Sequence, residues 1–372
     1  MGERFEAVVG PVAHGGHFVV RVPAGPTAEE TRVVFVRHAL PGERVVVRIT
    51  EGTDGDRFWR GDAVEVLEAS PDRVTPPCPF AGPGRCGGCD FQHVAVPAQR
   101  DLKAQVLREQ LTRLARLDPD DPLLDTPVEK VPGDEEGLRW RTRQSFARTP
   151  DGSPAMRLHR SHEVIPVDDC LIARTDARQP APGTVIETVA AAGVSKGFTV
   201  AADGFWQVHT GAPTTLVETV LTMLDPRPGE RVLDLYAGVG LFAAFLADRV
   251  GPEGQVLAVE GDRRASELSA ANVPQAEVVA GDVGPVLAER DAGPVDLVVL
   301  DPPREGARRA VVEQVVARSP RAVAYVACDP AALARDAAIF AEHGYRLDAL
   351  RAFDLFPMTH HFECVALLVP KE

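Results

Sequence analysis

In the C-terminal part of the chain, from residue 205 to 372, short apolar runs alternate with stretches rich in Ala and Leu. The runs are Arg231-Val232-Leu233-Asp234-Leu235, Val256-Leu257-Ala258-Val259-Glu260, Val295 to Asp301 and Ala322 to Ala327. Strands separated by helix-length segments specify a Rossmann-like, doubly wound parallel sheet, since each strand must return through a crossover helix before the next begins. In such a sheet ligands bind outside the carboxyl ends of the strands. The residues that follow each run therefore carry the functional information.

After the first run the chain reads Tyr236-Ala237-Gly238-Val239-Gly240. Gly238 and Gly240 permit a sharp strand-to-helix turn and a close approach of backbone to ligand. Glu260 ends the next run about 20 residues on, where an acid can accept both hydroxyls of a ribose. The third glycine of a dinucleotide site is missing, because Phe242 and Ala243 stand where it is expected. That favours S-adenosylmethionine, which needs no pyrophosphate cradle, over a dinucleotide or a plain tight turn. Asp282, in Gly281-Asp282, suits the adenine amino group. Asp301-Pro302-Pro303-Arg304 is a Pro-stiffened loop that would hold one carboxylate beside the reaction, its alternative being a stiff turn without a ligand.

Cys328 follows the last run in Ala327-Cys328-Asp329-Pro330, and Glu363 ends Phe356-Pro357-Met358-Thr359-His360-His361-Phe362-Glu363. A lone cysteine is more often a small buried hydrophobe than a nucleophile. Its place at the carboxyl end of the sheet favours the nucleophile, and Asp329-Pro330 is expected to start a helix whose dipole favours a thiolate. Glu363 is the expected base, ahead of His360 and His361, whose alternative is a place in a surface loop. Cys364 reads as core.

Residues 1–70 alternate apolar and polar positions in short runs, such as Arg32-Val33-Val34-Phe35-Val36 and Glu43-Arg44-Val45-Val46-Val47-Arg48-Ile49, with Gly and Pro between them. That is the pattern of a small β-barrel. Residues 71–204 form a central mixed α+β domain, with an amphipathic helix expected over 97–117, where Leu102, Val106, Leu107, Leu111 and Leu114 share a face. The domain opens with a Pro, Gly and Cys-rich stretch that cannot bury a core unaided, so a bound metal would organise it. Cys78, Cys86 and Cys89, with Cys170 downstream, are the ligands expected. Four thiolates suit zinc or an iron–sulfur cluster, and spacing alone does not decide between them.

His14-Gly15-Gly16, Val34-Phe35-Val36 and Ala39-Leu40-Pro41-Gly42-Glu43 resemble the TRAM domain, an OB-like RNA-binding barrel. Cys328 with Asp329-Pro330, the Asp301-Pro302-Pro303-Arg304 loop and Phe356-Pro357 to Glu363 make the remainder resemble the RNA 5-methyluridine methyltransferases. The resemblance extends to Phe205-Trp206-Gln207-Val208, which implies that Gln207 contacts the donor. It further implies that Cys328 adds to C6 of a uracil, that C5 then takes the methyl group, and that Glu363 removes the C5 proton. Cys78-x7-Cys86-Gly87-Gly88-Cys89 followed by Phe91-Gln92-His93 resembles the [4Fe–4S] motif of a subset of this family, which implies an iron–sulfur cluster rather than zinc. Leu241 departs from the pattern, since relatives often carry a polar residue there, and contact with the donor through Leu241 is expected from backbone alone.

A base inside folded RNA must be flipped out to reach such a site. Trp140 and Phe146 offer stacking rings and Arg139, Arg141 and Arg143 offer phosphate partners, against the alternative of a solvated edge strand. A net charge of −14 weighs mildly against nucleic acid yet allows a local basic face. With no long apolar run and no basic-then-apolar leader at Met1-Gly2-Glu3-Arg4, the expectation is a cytoplasmic monomer that acts on rRNA or tRNA without a membrane partner. Two competing readings stand beside it: a methyltransferase for a small-molecule acceptor, and an RNA-binding iron–sulfur protein without activity.

Overall fold

A computed structural model describes residues 2–23, 30–290 and 293–371. Two compact units divide the chain: Met1–Val106, Asp134–Ala177 and Phe356–His361 form the first, and Leu107–Gly133, Arg178–Leu355 and Phe362–Glu372 the second.

The first unit begins with β1 (Arg4–Val8), β2 (Val12–Ala13), β3 (His17–Pro23), β4 (Thr31–Arg37), β5 (Arg44–Glu51) and β6 (Phe58–Glu68), in the order β1-β5-β6-β4-β3-β2. Period-two alternation sets the faces: β3 buries Phe18, Val20 and Val22, and β5 buries Val45, Val47 and Ile49. These side chains form one core with Phe91 and Val94 and with Leu102 and Val106 of helix α1 (Val96–Gln110). Each such side chain contributes about 1.5–3 kcal/mol on full burial. Among the described residues the strands of the expected OB-like barrel form one six-stranded sheet with β1 and β2 at its edges, and no closed barrel is found. The Gly10 amide donates to the Val19 carbonyl at 2.8 Å, where a Cβ on Gly10 would lie 2.8 Å from that same oxygen.

The expected helix over 97–117 divides in two. Regular α1 ends at Gln110, a π turn spans Leu111–Ala115, and Arg116 in the left-handed region (φ 58°) stops it. In the first unit α1 also carries two buried polar side chains one turn apart. Gln99 Nε2 donates to the Phe91 and Val94 carbonyls at 3.2 and 2.9 Å and Gln99 Oε1 accepts from the Met358 amide at 2.8 Å. Lys103 Nζ donates to the Phe356 carbonyl at 3.2 Å. Further on lie β7 (Val128–Lys130), which belongs to the second unit, and β8 (Arg141–Arg143), which pairs with β12 (Ala173–Arg178). Between them β9 (Ala147–Arg148), β10 (Pro154–Arg157) and β11 (Val164–Pro166) form a three-stranded sheet.

The second unit contains the hairpin β13 (Thr184–Ala191) and β14 (Val194–Ala201), then helix α2 (Ala212–Leu224). Next come β15 (Arg231–Leu235), α3 (Leu241–Val250), β16 (Gln255–Glu260), α4 (Arg263–Asn272), β17 (Glu277–Ala280) and α5 (Val283–Glu289). The chain ends with β18 (Leu297–Leu300), α6 (Arg308–Val316), β19 (Ala322–Ala327), α7 (Pro330–Glu342), β20 (Tyr345–Asp354) and β21 (Glu363–Pro370). The sheet runs β17-β16-β15-β18-β19-β21-β20-β7. Its first five strands are parallel, as the sequence alternation requires, and Val298, Val299, Val323 and Ala324 are fully buried between the helical layers. The sheet is not parallel throughout, because β21 inserts antiparallel between β19 and β20. That reversal brings the first residue of β21 to the carboxyl end of the parallel strands. Among the described residues no helix is long and apolar enough to cross a membrane.

Candidate functional site

The turn after β15 is held in an unusual backbone shape. Tyr236, Gly238 and Gly240 have φ of 64°, 55° and 89°, so the chain passes through the left-handed region three times within five residues. A Cβ on Gly240 would lie 2.7 Å from Val273 Cγ2 and 2.8 Å from Ser269 Oγ, so glycine is required there for space as well as for conformation. Glu260, the last residue of β16, clamps the turn: its Oε2 accepts from the Gly238 amide at 2.7 Å and its Oε1 from the Asp262 amide at 2.7 Å. Leu241 is buried as the first residue of α3. Asp282 is exposed at the start of α5, at the same end of the sheet. Gln207 is half-buried in the loop before α2, next to Trp206, whose ring packs 5.7 Å from that of Phe198.

Two further acids stand behind this turn. Asp234 is fully buried in β15 and its Oδ2 accepts from the Ala243 amide at 2.8 Å. Burial, with the nearby charge of Glu260, pushes it up to about 7. Asp301 follows β18, and its amide donates to the Leu235 carbonyl at 3.2 Å. Burial and the charges of Asp234 and Glu260 push it up to about 7 as well. The run Asp234 to Leu235 looks in sequence like any buried strand end. A carboxylate within the apolar stretch Val232–Leu235 was the signal available for it.

Cys328 and Glu363 meet through strand register. The β19–β21 ladder ends at the pair Ala327↔Cys364, and one further step along this antiparallel pair sets Cys328 opposite Glu363. Cys328 is half-buried, and Glu363 is 4% exposed. Burial pushes the Cys328 thiol up to about 12, helped by the charges of Glu363, Asp301 and Asp329 and opposed by Arg304. Glu363 is likewise raised well above the usual carboxylate range by burial and by Asp301, with Arg304 again opposing. These influences act against the thiolate that the helix start was expected to favour, although Asp329 does cap α7, accepting from the Ala332 amide at 2.8 Å. Cys364 is fully buried, as a core residue.

In the first unit, His360 and His361 have other engagements. His360 Nδ1 lies 2.6 Å from Asp90 Oδ2, and its ring lies 3.9 Å, centroid to centroid, from that of His361. Trp140 is fully buried, edge-on to Phe356 with ring centroids 5.9 Å apart, so it cannot stack on a base. Arg139 is likewise committed, pairing with Asp169 and donating to the Ala173 carbonyl at 2.9 Å, and Arg141 Nε donates to the Arg143 carbonyl at 2.9 Å. Phe146 is half-buried and lines a cavity of about 410 Å³ with Gly87, Gly88, Arg157, His159 and Arg160.

Cys78, Cys86, Cys89 and Cys170 are free thiols, all half-buried. They stand within electrostatic reach of one another: Cys89 senses Cys170 and Cys86, and Cys170 senses Cys86 and Cys78. The Gly88 amide donates to Cys86 Sγ at 3.4 Å and Gln92 Nε2 to Cys89 Sγ at 3.5 Å. Among the described residues no group of three or more His, Cys, Asp or Glu side chains that could hold a metal ion is found. The donor set itself, four sulfurs with N–H groups directed at two of them, is chemically suited to zinc or to an iron–sulfur cluster alike.

Three family descriptions match the sequence: TRAM domain over residues 1–64, methyltransferase small domain over 214–325, and tRNA (uracil-5-)-methyltransferase over 291–371. The chain is 45% identical to an uncharacterized RNA methyltransferase of Streptomyces avermitilis, a match covering 100% of this chain and 99% of the relative. It is 34% identical to the 23S rRNA (uracil(1939)-C(5))-methyltransferase of Chromohalobacter salexigens, covering 96% of this chain and 87% of that one. Its fold is similar to that of the Pyrococcus abyssi tRNA (uracil-54, C5)-methyltransferase solved with S-adenosyl-L-homocysteine, with a TM-score of 0.71 at 20% identity over 98% and 99% of the two chains.

Proposed function

Since the chain belongs to the family of RNA uracil-C5 methyltransferases, we propose that it methylates C5 of a uridine in RNA through a covalent adduct formed by Cys328. The observation that carries this reading is the register that sets Cys328 opposite Glu363 at the carboxyl end of the sheet, beside Asp301. C5 of uracil is a weak nucleophile. Addition of Cys328 Sγ to C6 places negative charge on the O4–C4–C5 system, and C5 can then attack an electrophilic carbon. S-adenosylmethionine supplies that methyl carbon when bound. Glu363 then takes the proton from C5, the C5=C6 bond re-forms, and the Cys328 sulfur leaves with the electrons of its bond to C6.

For the donor, the turn at Gly238 and Gly240 offers close backbone approach, and Gln207, Tyr236, Leu241, Glu260, Asp282 and Asp301 are the residues that would contact it. Asp234, Asp301 and Glu260 are neighbouring carboxyls, two of them held up to about 7, and a bound sulfonium would favour their ionised forms. RNA is the acceptor and a TRAM domain carries RNA contacts, which favours the cytoplasm as the place of action and disfavours a small-molecule acceptor. RNA carrying tritium at C5 of uridine tests the assignment: one tritium should be released for each methyl group transferred. Methylation of a metabolite without tritium release would defeat it, as would donor or RNA binding without turnover.

Cys78, Cys86, Cys89 and Cys170 would hold a [4Fe–4S] cluster with a structural role, since methyl transfer consumes no electrons. Anaerobically purified protein is expected to be brown, with broad visible absorption that is lost when the four cysteines are replaced by Ser. A colourless protein with one equivalent of zinc would replace iron by zinc in this assignment.

A further inference from the structure

Asp336, on α7, is 3% exposed, and a single oxygen of its carboxylate gathers three donors. Oδ2 accepts from the Tyr325 hydroxyl at 2.6 Å, from the Ala307 amide at 2.7 Å and from the Arg308 amide at 3.2 Å. The Ala307 amide also lies 3.1 Å from the Tyr325 hydroxyl. Tyr325 lies on β19, three residues before Cys328, and α7 begins two residues after it. Ala307 and Arg308 follow the Asp301-Pro302-Pro303-Arg304 loop, which closes on itself through the Gly306 amide and the Pro303 carbonyl at 2.8 Å. Gly306 sits so close that a Cβ would lie 2.6 Å from Asp336 Oδ2. The carboxylate thus ties the Arg304 loop to both elements that flank Cys328.

We propose that Asp336 is a positioning residue for methyl transfer, holding the Pro303–Gly306 turn, and with it Arg304, against the strand–helix junction that carries Cys328. The charges that act on Cys328 are those of Glu363 from β21, Asp301 and Arg304 from the loop after β18, and Asp329 at the start of α7. Arg304 is the cation among them and opposes the rise that burial and the carboxylates cause, so a displaced loop makes the thiol harder to ionise. A buried aspartate that merely capped α6 would influence stability but not the thiol.

This inference rests on the nucleophilic role proposed for Cys328, but its test does not use methyl transfer. Alkylation of Cys328 by iodoacetamide in the full chain, followed by the mass of its peptide, reads the thiol directly. In Asp336→Ala the Cys328 pKa is expected to rise further. The loss of thiolate, partly offset by greater nucleophilicity, then slows alkylation about threefold at a fixed pH below the pKa. Asp336→Asn retains an acceptor oxygen for the hydroxyl and both amides, and should recover the wild-type rate. Arg304→Met should slow alkylation by a similar factor, and adding Asp336→Ala to it should change nothing further. If Asp336→Ala does not fold, Tyr325→Phe takes its place, with a slowing about half as large that likewise vanishes in the Arg304→Met background. A folded Asp336→Ala protein that alkylates at the wild-type rate overturns the proposal, and so do effects of Asp336 and Arg304 that simply multiply. Failure of the adduct chemistry would instead show in RNA trapping, which these variants do not decide.

Discussion

Replacing Cys328 by Ala is expected to abolish methyl transfer to RNA, with a loss on the order of 10⁴-fold or more. Without the sulfur, nothing adds to C6 and C5 stays a poor nucleophile, so the remaining groups have no step to assist. Folding should survive, since Cys328 is half-buried and Ala leaves no unsatisfied polar group. RNA containing 5-fluorouridine supplies the direct measurement. A fluorine at C5 cannot leave as a proton, so the wild-type protein should stay covalently bound to that RNA through denaturing electrophoresis. The Ala variant should show no such band while still binding RNA. Retention of wild-type turnover by the variant would eliminate the covalent route altogether.

The pH dependence follows from the same site. The Cys328 thiol stands at about 12, so only a small fraction is thiolate near neutrality, and adduct formation should quicken as pH rises without levelling off in the neutral range. Glu363, raised by burial, must also lose its proton before it can act, which pushes turnover in the same direction.

Local sequence was enough to locate the turn after β15, because the left-handed residues it needs are the ones glycine supplies, and Gly238 and Gly240 stand there. It was also enough to find the parallel strands, whose apolar runs follow from burial on both faces. It did not reveal that β21 runs antiparallel, because strand direction is chosen by pairing, and β21 inserts between β19 and β20 rather than adding beyond them. The distance between Cys328 and Glu363 depends on that choice. Trp140 was misread as an exposed ring for the related reason that a short Arg-rich strand looks solvated until Phe356, more than two hundred residues later, covers its tryptophan. Nor could the surroundings of the Cys328 thiol be read from Asp329-Pro330. The helix start is real, but burial in the sheet, and Glu363 and Asp301 brought in by it, push the thiol the other way.

Glu363→Gln should separate the two halves of the reaction. The amide keeps the shape of the side chain in a site that is 4% exposed, so the pocket should persist. Addition of the Cys328 sulfur does not require the carboxylate. Glu363 is itself raised well above the usual carboxylate range, so the neutral amide leaves the surroundings of the thiol near neutral pH little changed and the adduct should form about as fast as in the wild type. Resolution is different. An amide cannot accept the C5 proton, and the loss of a positioned base should slow elimination about 10²–10⁴-fold. A methylated protein–RNA adduct should therefore accumulate in the variant with unmodified uridine RNA, while the wild type shows only a trace. Quenching in denaturant at successive times and counting donor-derived methyl label in the adduct band measures both steps. A variant that turns over normally would leave Glu363 without the role of base. One that forms neither adduct nor product would instead assign its carboxylate to the addition step.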